Sequence, residues 1–266
     1  MKTLTSFGCG NMASAIIQGM FGEKAKLRYL LYTPSKTKAQ ALSKVVGGEV
    51  LDSLEELESA DFYMISCKPQ QFSELAKDIK GKLNPKAVVI SILAGTTVET
   101  ISDSLGVSNV LRIMPNTPTL VGAGVNAFYF SESVETKRRD ELVELFSTFS
   151  KVFVFKKEEE IDVITGFSGS GPAYIFEFSR LLTEKMISMG VSEEIATEMI
   201  KWTVFGSAKL QLESEDSSET LRNKVTSKNG VTYEALEKFK ELKFENMIDQ
   251  ALNCAYNRSK ELSKES

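Results

Sequence analysis

Gly8, Gly10 and Ala13 stand in the spacing G-x-G-x-x-A, directly after the apolar run Thr3-Leu4-Thr5-Ser6-Phe7. In that pattern the first glycine permits a sharp turn from strand to helix. The second has no Cβ, so a pyrophosphate can approach the backbone, and the small third residue lets helix and strand lie close. Amides in the first turn of a helix have no partners within it and face an anion. The residues therefore imply a dinucleotide cradle at Gly8 and Gly10, in the loop that also holds Asn11 and Met12, although the same spacing also fits a glycine-rich turn with no ligand. About 20 residues further on, an NAD-binding unit carries an acid for the ribose 2′-hydroxyl. Here Thr33, Ser35 and Lys36 stand instead, with Lys38 close by. Hydroxyls and an ammonium accept a 2′-phosphate that a carboxylate would repel, so NADPH is expected over NADH, with NADH still possible. Ser35 also suits the cap of the following helix.

Lys68-Pro69, Ala94-Gly95 and Pro115-Asn116 each follow an apolar run and mark the ends of further strands. In a parallel sheet, ligands lie beyond such ends. Two later stretches carry hydroxyls and exposed amides beside helix starts: Ser168-Gly169-Ser170-Gly171-Pro172-Ala173-Tyr174, and residues 221–232. Groups of this kind bind a carboxylate without help from histidine.

The chain has no histidine at all. That excludes Ser-His and Cys-His nucleophile pairs and every histidine-bearing metal site. It also removes the imidazole base that dehydrogenases of 2-hydroxy acids usually need. Cys9, Cys67 and Cys254 are widely spaced, which argues against a disulfide framework or a zinc site, and no metal is expected. A net charge of -4 without a basic block argues against nucleic acid as a partner. No apolar run approaches the roughly 20 residues of a membrane helix, and the N-terminus lacks a cleavable-signal pattern, so a cytoplasmic protein is expected.

The elements that must position these residues follow from periodicity. Strands are expected over 3–7, 27–32, 60–67, 87–93, 109–114, 125–130 and 152–155. Helices are expected over 14–20, with Gly22 just past the end, and over 36–45, 71–79 and 135–149. Strands alternating with helices at this spacing predict βαβ units and a parallel sheet. The charge run 156–160 reads as a solvated helix start and a domain boundary. Beyond it, apolar residues recur at helical spacing over 171–189, 192–212, 217–225 and 231–260, the last broken near Lys240. A dinucleotide-binding domain is thus expected over 1–156 and an all-helical domain over 157–266. Several of these helices are apolar on more than one face, which predicts packing against a second copy; a monomeric bundle is the alternative.

Six runs carry a resemblance: Phe7-Gly-Cys-Gly-Asn-Met-Ala-Ser14, Cys67-Lys-Pro-Gln70, Ser91-Ile-Leu-Ala-Gly95, Arg112-Ile-Met-Pro-Asn-Thr-Pro118, Ser168-Gly-Ser-Gly-Pro-Ala-Tyr174 and Arg258-Ser259. In this order, over nearly the whole length, they resemble the pyrroline-5-carboxylate reductase family. The resemblance implies an α/β Rossmann-like domain with a doubly wound, mostly parallel sheet, followed by an all-α dimerisation domain. It implies a homodimer or higher homo-oligomer, and hydride transfer from NAD(P)H to the C=N of 1-pyrroline-5-carboxylate, giving L-proline. It puts Gly8 to Met12 at the pyrophosphate and Ser35 and Lys36 at the 2′-phosphate. Lys68, Pro69, Ala94 and Gly95 then lie beside the dinucleotide and Asn116 near the nicotinamide. The family's substrate loop reads V-T-S-P-G-G-T-T. Val225, Thr226, Ser227, Gly230 and Thr232 match it, Lys228-Asn229 replace Pro-Gly, and Val231 replaces a small residue. Thr226, Ser227, Gly230 and Thr232 are the implied substrate residues, and Thr232 is the candidate hydrogen-bond partner of the imine nitrogen. Two other readings compete. One is a different imine reductase or a small-acid dehydrogenase with a helix-face lysine such as Lys185, Lys201 or Lys209. The other is a non-catalytic dinucleotide-binding regulator, supported by the loop's departures.

Overall fold

The computed structural model describes residues 1–23 and 27–265. Its first part runs β1 (Lys2–Phe7), α1 (Asn11–Glu23), β2 (Leu27–Tyr32), α2 (Thr37–Val46), β3 (Glu49–Val50), β4 (Phe62–Ile65), α3 (Pro69–Ile79), β5 (Val88–Ser91), α4 (Val98–Leu105), β6 (Val110–Pro115), β7 (Gly124–Phe130), α5 (Thr136–Ser147) and β8 (Ser150–Val154). Helices follow: α6 (Glu159–Ile164), a π-helical turn (Thr165–Gly169), α7 (Gly171–Ser188), α8 (Glu193–Glu213), α9 (Ser218–Lys224), α10 (Val231–Glu241) and α11 (Phe244–Glu265).

The strands form one sheet in the order β3-β2-β1-β4-β5-β6-β7-β8. Every pairing is parallel except β6 with β7. The chain order reverses at β1, which puts a ligand crevice beyond the carboxyl ends of β1 and β4. Successive residues of β4 point to opposite faces, and both faces are covered. Phe62 and Met64 pack with Leu4, Ile16, Ile17 and Phe128, whereas Tyr63 and Ile65 pack with Phe7, Phe72, Ile79 and Ile101. Burial on both faces is why the strands read as continuous apolar runs.

Three details depart from the sequence expectations. Helix α1 begins at Asn11 and runs through Gly22 to Glu23, because the turn at Gly8 is complete within three residues. Helix α2 is not capped by Ser35: the boundary residue is Lys36, in a left-handed conformation (φ 56°) and with no side-chain cap. The two-residue strand β3 and the helix α4 add elements that the periodicity reading leaves out.

The chain divides into two compact units, one of residues 1–172 with 255–266 and one of 173–254. The first therefore extends past residue 156, and the cause is Arg112. Its side chain is almost fully buried, with Nη1 2.9 Å from Glu158 and Nη2 2.8 Å from Asp162. Glu158 also accepts the Val98 amide (2.8 Å), and Asp162 accepts the Ser263 hydroxyl (2.8 Å). The charge run around 156–160 is thus only partly solvated, since Glu158 is a counter-ion to the sheet.

In the unit 173–254, Ala196 alone is buried among the described residues. Phe176, Leu181, Met199, Trp202 and Phe205 are all exposed, and the Trp202 and Phe205 rings meet edge-on at 5.6 Å. Lys243 (φ 56°) breaks α10 from α11. Among the described residues, no helix is long and apolar enough to cross a membrane.

Replacing Arg112 by methionine keeps much of its volume but leaves two acids without their cation. We expect a loss of about 3 kcal/mol of stability, the scale of a broken buried ion pair. Urea unfolding reads this directly, and an unchanged midpoint at unchanged slope would remove the network from the account.

Candidate functional site

Gly8 adopts φ +115°, and a Cβ there would stand 2.5 Å from the carbonyl oxygen of Ser66 and 2.8 Å from the Cys67 amide nitrogen. Only glycine fits this close crossing of β1 and β4. Its amide donates to the Tyr32 carbonyl (2.9 Å), and its carbonyl accepts the hydroxyls of Ser6 (2.7 Å) and Ser66 (2.9 Å). These two serines position the turn, and the sequence reading gives them no role; their only signal is that each sits at or just past the end of a core strand. Gly10 is the opposite case, since a Cβ there would meet nothing within 4 Å. It faces open space, as a residue approached by phosphate must.

The first bond of α1 runs from the Ser14 amide to the Gly10 carbonyl (2.8 Å). The amides of Asn11, Met12 and Ala13 precede it, and the first turn carries no acidic side chain. Burial pushes the Cys9 thiol up to about 12, and burial also pushes the Cys67 thiol up, to about 11. Both stay neutral at physiological pH, so the loop adds no charge that would repel an anion.

Thr33 follows β2, and among the described residues its buried Oγ1 has no hydrogen-bond partner. Its carbonyl accepts the Lys36 amide at 3.0 Å. The Ser35 carbonyl accepts the Thr37 hydroxyl (3.1 Å), and the boundary residue of α2 is Lys36, without a side-chain cap. The Lys36 ammonium bonds Asp52 Oδ1 at 2.6 Å. The open position at Gly10 and the orphaned Thr33 hydroxyl both fit a bound dinucleotide.

Lys68 and Pro69 form the exposed start of α3, where Gln71 Oε1 accepts the Lys68 amide (3.3 Å). Ala94 is exposed, but Gly95 (φ +73°) is buried, and a Cβ on it would lie 2.7 Å from Cβ of Leu262. Gly95 thus makes room for the last turns of α11. Asn116 is buried. Its Oδ1 accepts the Val125 amide (2.8 Å), and its Nδ2 lies 3.3 Å from both the carbonyl and the hydroxyl of Ser168, in the π-helical turn. It ties β6 and β7 to that turn.

Thr226, Ser227, Gly230 and Thr232 all belong to the unit 173–254. The loop before α10 is a tight turn in which the Gly230 amide donates to the Ser227 carbonyl (3.0 Å). A Cβ on Gly230 would stand 2.3 Å from Ser227 Oγ. Asn229 sits in the left-handed region (φ 57°), a conformation that asparagine tolerates better than most side chains. Gly230 is the boundary residue of α10, so Thr232 is the second residue of the helix, within its first turn, and does not cap it. The first bond of α10 joins the Glu234 amide to the Gly230 carbonyl (3.1 Å), which leaves the amides of residues 231–233 ahead of it. Thr226 donates its hydroxyl to the Arg222 carbonyl (2.7 Å), so in this conformation it has no proton to offer a carboxylate.

Comparison with known proteins matches residues 158–262 to a family model described as pyrroline-5-carboxylate reductase dimerisation. Residues 4–95 match one described as NADP oxidoreductase, coenzyme F420-dependent. The pyrroline-5-carboxylate reductase of Pseudomonas aeruginosa is 32% identical over 97% of this chain and 96% of its own. That of Escherichia coli is 31% identical over 99% of each. Among solved structures, the Coxiella burnetii pyrroline-5-carboxylate reductase superposes with a TM-score of 0.86 at 30% identity, covering 98% of both chains. The Plasmodium falciparum pyrroline carboxylate reductase, solved with NADP bound, gives 0.84 at 25% identity, also over 98% of both.

The two loop glycines should respond oppositely to alanine. Gly8→Ala meets the β4 backbone and should cost about 3 kcal/mol or more of stability. Gly10→Ala should leave the melting temperature unchanged yet weaken dinucleotide binding by roughly tenfold or more, about 1.4 kcal/mol. Calorimetry and cofactor titration on both variants check this, and tight binding by Gly10→Ala would remove the cradle.

Proposed function

The chain belongs to the pyrroline-5-carboxylate reductase family, and on that premise we propose that it reduces the C=N bond of 1-pyrroline-5-carboxylate to L-proline, with NADPH as the preferred donor. The observation that carries the reading is the loop before α10. It keeps its tight turn despite Lys228-Asn229, because Asn229 adopts the left-handed backbone and Gly230 packs against Ser227. That favours a working enzyme over a regulator with a decayed loop.

The bound reduced nicotinamide supplies the hydride. The chain's own contribution is orientation. Gly8, Gly10, Asn11 and Met12 hold the pyrophosphate on the first amides of α1, while Thr33, Ser35 and Lys36 face the ribose and its 2′-phosphate. Lys68, Pro69 and Ala94 line the strand ends. Asn116 acts by fixing the π-helical turn rather than through a spare polar atom. In the helical unit, the Ser227 hydroxyl and the amides of residues 231–233 grip the substrate carboxylate, and the Thr232 hydroxyl oxygen accepts from the N–H of the protonated imine. A chain without histidine has no imidazole acid to offer, and a cyclic imine needs none, since it can take its proton from solvent before binding. The apolar helix faces of residues 173–254 support a homodimer: a unit that buries Ala196 alone has not closed a core of its own.

Cofactor consumption with a panel of cyclic imino acids and 2-keto acids tests the reading. Turnover is expected with 1-pyrroline-5-carboxylate, and turnover with keto acids alone would overturn it. Thr232→Ala should lower kcat about tenfold to a hundredfold with NADPH affinity intact, the scale of one hydrogen bond to a charged group. Full activity in that variant would return Thr232 to a structural role. Lys36→Glu should shift the NADPH-to-NADH preference toward NADH by roughly tenfold or more, as charge-assisted contacts turn repulsive. An unchanged preference would remove Lys36 from the 2′-phosphate.

A further inference from the structure

Asp52 lies just past β3, and its carboxylate already holds the Lys36 ammonium at 2.6 Å. Its surroundings are acidic. Glu56 accepts the Asp52 amide at 2.9 Å, and Glu55 stands beside it in the short 3-10 turn Leu54–Glu56. Arg28, a second cation on this edge of the sheet, gives no relief. It forks onto Glu49 (2.8 and 2.9 Å) and Glu58 (2.6 Å). Lys36 also cannot swing away with its backbone, which is fixed as the left-handed boundary residue of α2 and tied by its amide to Thr33.

A dianionic 2′-phosphate arriving at Lys36 therefore meets an ammonium that is already paired, next to carboxylates that repel it. A ribose bearing only hydroxyls meets no such opposition, and a carboxylate can accept its hydrogen bond. We infer that Asp52 is a specificity-determining residue: it competes with the 2′-phosphate for Lys36 and so narrows the preference for NADPH over NADH. The inference rests on the nucleotide site proposed above. Strand β2 ends without the usual acid, and Asp52 supplies one from just past the neighbouring strand. Both partners are well exposed, so the pair is screened by solvent and its effect is modest.

The test is a binding measurement that does not depend on turnover. Dissociation constants for NADPH and NADH are measured at low and high salt for the wild type, Asp52→Asn, Lys36→Met and the double variant. Asp52→Asn should bind NADPH about threefold to fivefold more tightly, with no gain for NADH. The gain should shrink at high salt and vanish in the Lys36→Met background. Unchanged NADPH affinity in Asp52→Asn, an equal gain for both cofactors, or a gain that survives Lys36→Met would each overturn the inference. If Lys36→Met still weakens NADPH selectively in those cases, the nucleotide site stands and only the role of Asp52 fails. If it does not, the site assignment falls with it.

Discussion

A guanidinium enclosed by a sheet must be given anions from elsewhere in the chain, and Arg112 receives them from the boundary residue of one short helix and from a residue of its first turn. Desolvating the cation is costly, and it is tolerated only while Glu158 and Asp162 stay in place. Each of those acids then recruits a further partner. Glu158 receives the first amide of α4, and Asp162 receives the Ser263 hydroxyl from a position 101 residues away in sequence. One buried charge on β6 thereby gathers the start of α4, all of α6 and the last turns of α11. The approach of Leu262 to Gly95 belongs to the same assembly, because Ser263 is the next residue.

The nucleotide end of the sheet is governed by proximity rather than charge. Gly8 exists as glycine because β4 leaves no room for a side chain, and Gly10 because something else needs the room. The motif names both residues but does not distinguish these reasons. The supporting hydroxyls of Ser6 and Ser66 converge on the Gly8 carbonyl, and that convergence keeps the turn in one shape. A preformed arrangement of this kind loses little entropy on binding.

Much of this was legible from residue types. β2 matches its expected span at both ends, because a polar lysine-bearing stretch and Thr33-Pro34 bracket a run that is apolar but for Arg28. The parallel, doubly wound architecture follows from the alternation of such runs with helical patterns. What escaped has physical causes. β3 is two residues long, too short for any period to register. α4 carries only Val98, Ile101 and Leu105 as apolar residues, one face of a short and otherwise polar helix. The compact units part at residue 172 and not at the charge run near 156, because a charge run looks alike in sequence whether it faces water or a buried arginine. In the candidate site, glycines and the αL-tolerant Asn229 were readable one at a time. The Lys36–Asp52 pair was not, because it joins residues whose proximity depends on β2 and β3 lying side by side.

Trp202 is the single indole of the chain, and it stands two-thirds exposed on α8 beside Phe205. Its ultraviolet emission therefore reports the polarity around one helix of the 173–254 unit, while the sheet, which has no tryptophan, is dark at that wavelength. A blue shift on raising protein concentration would register the covering of this face, and a red-shifted spectrum that persists would mark it as wet. The molecule thus carries its own optical gauge of assembly, with no label to attach.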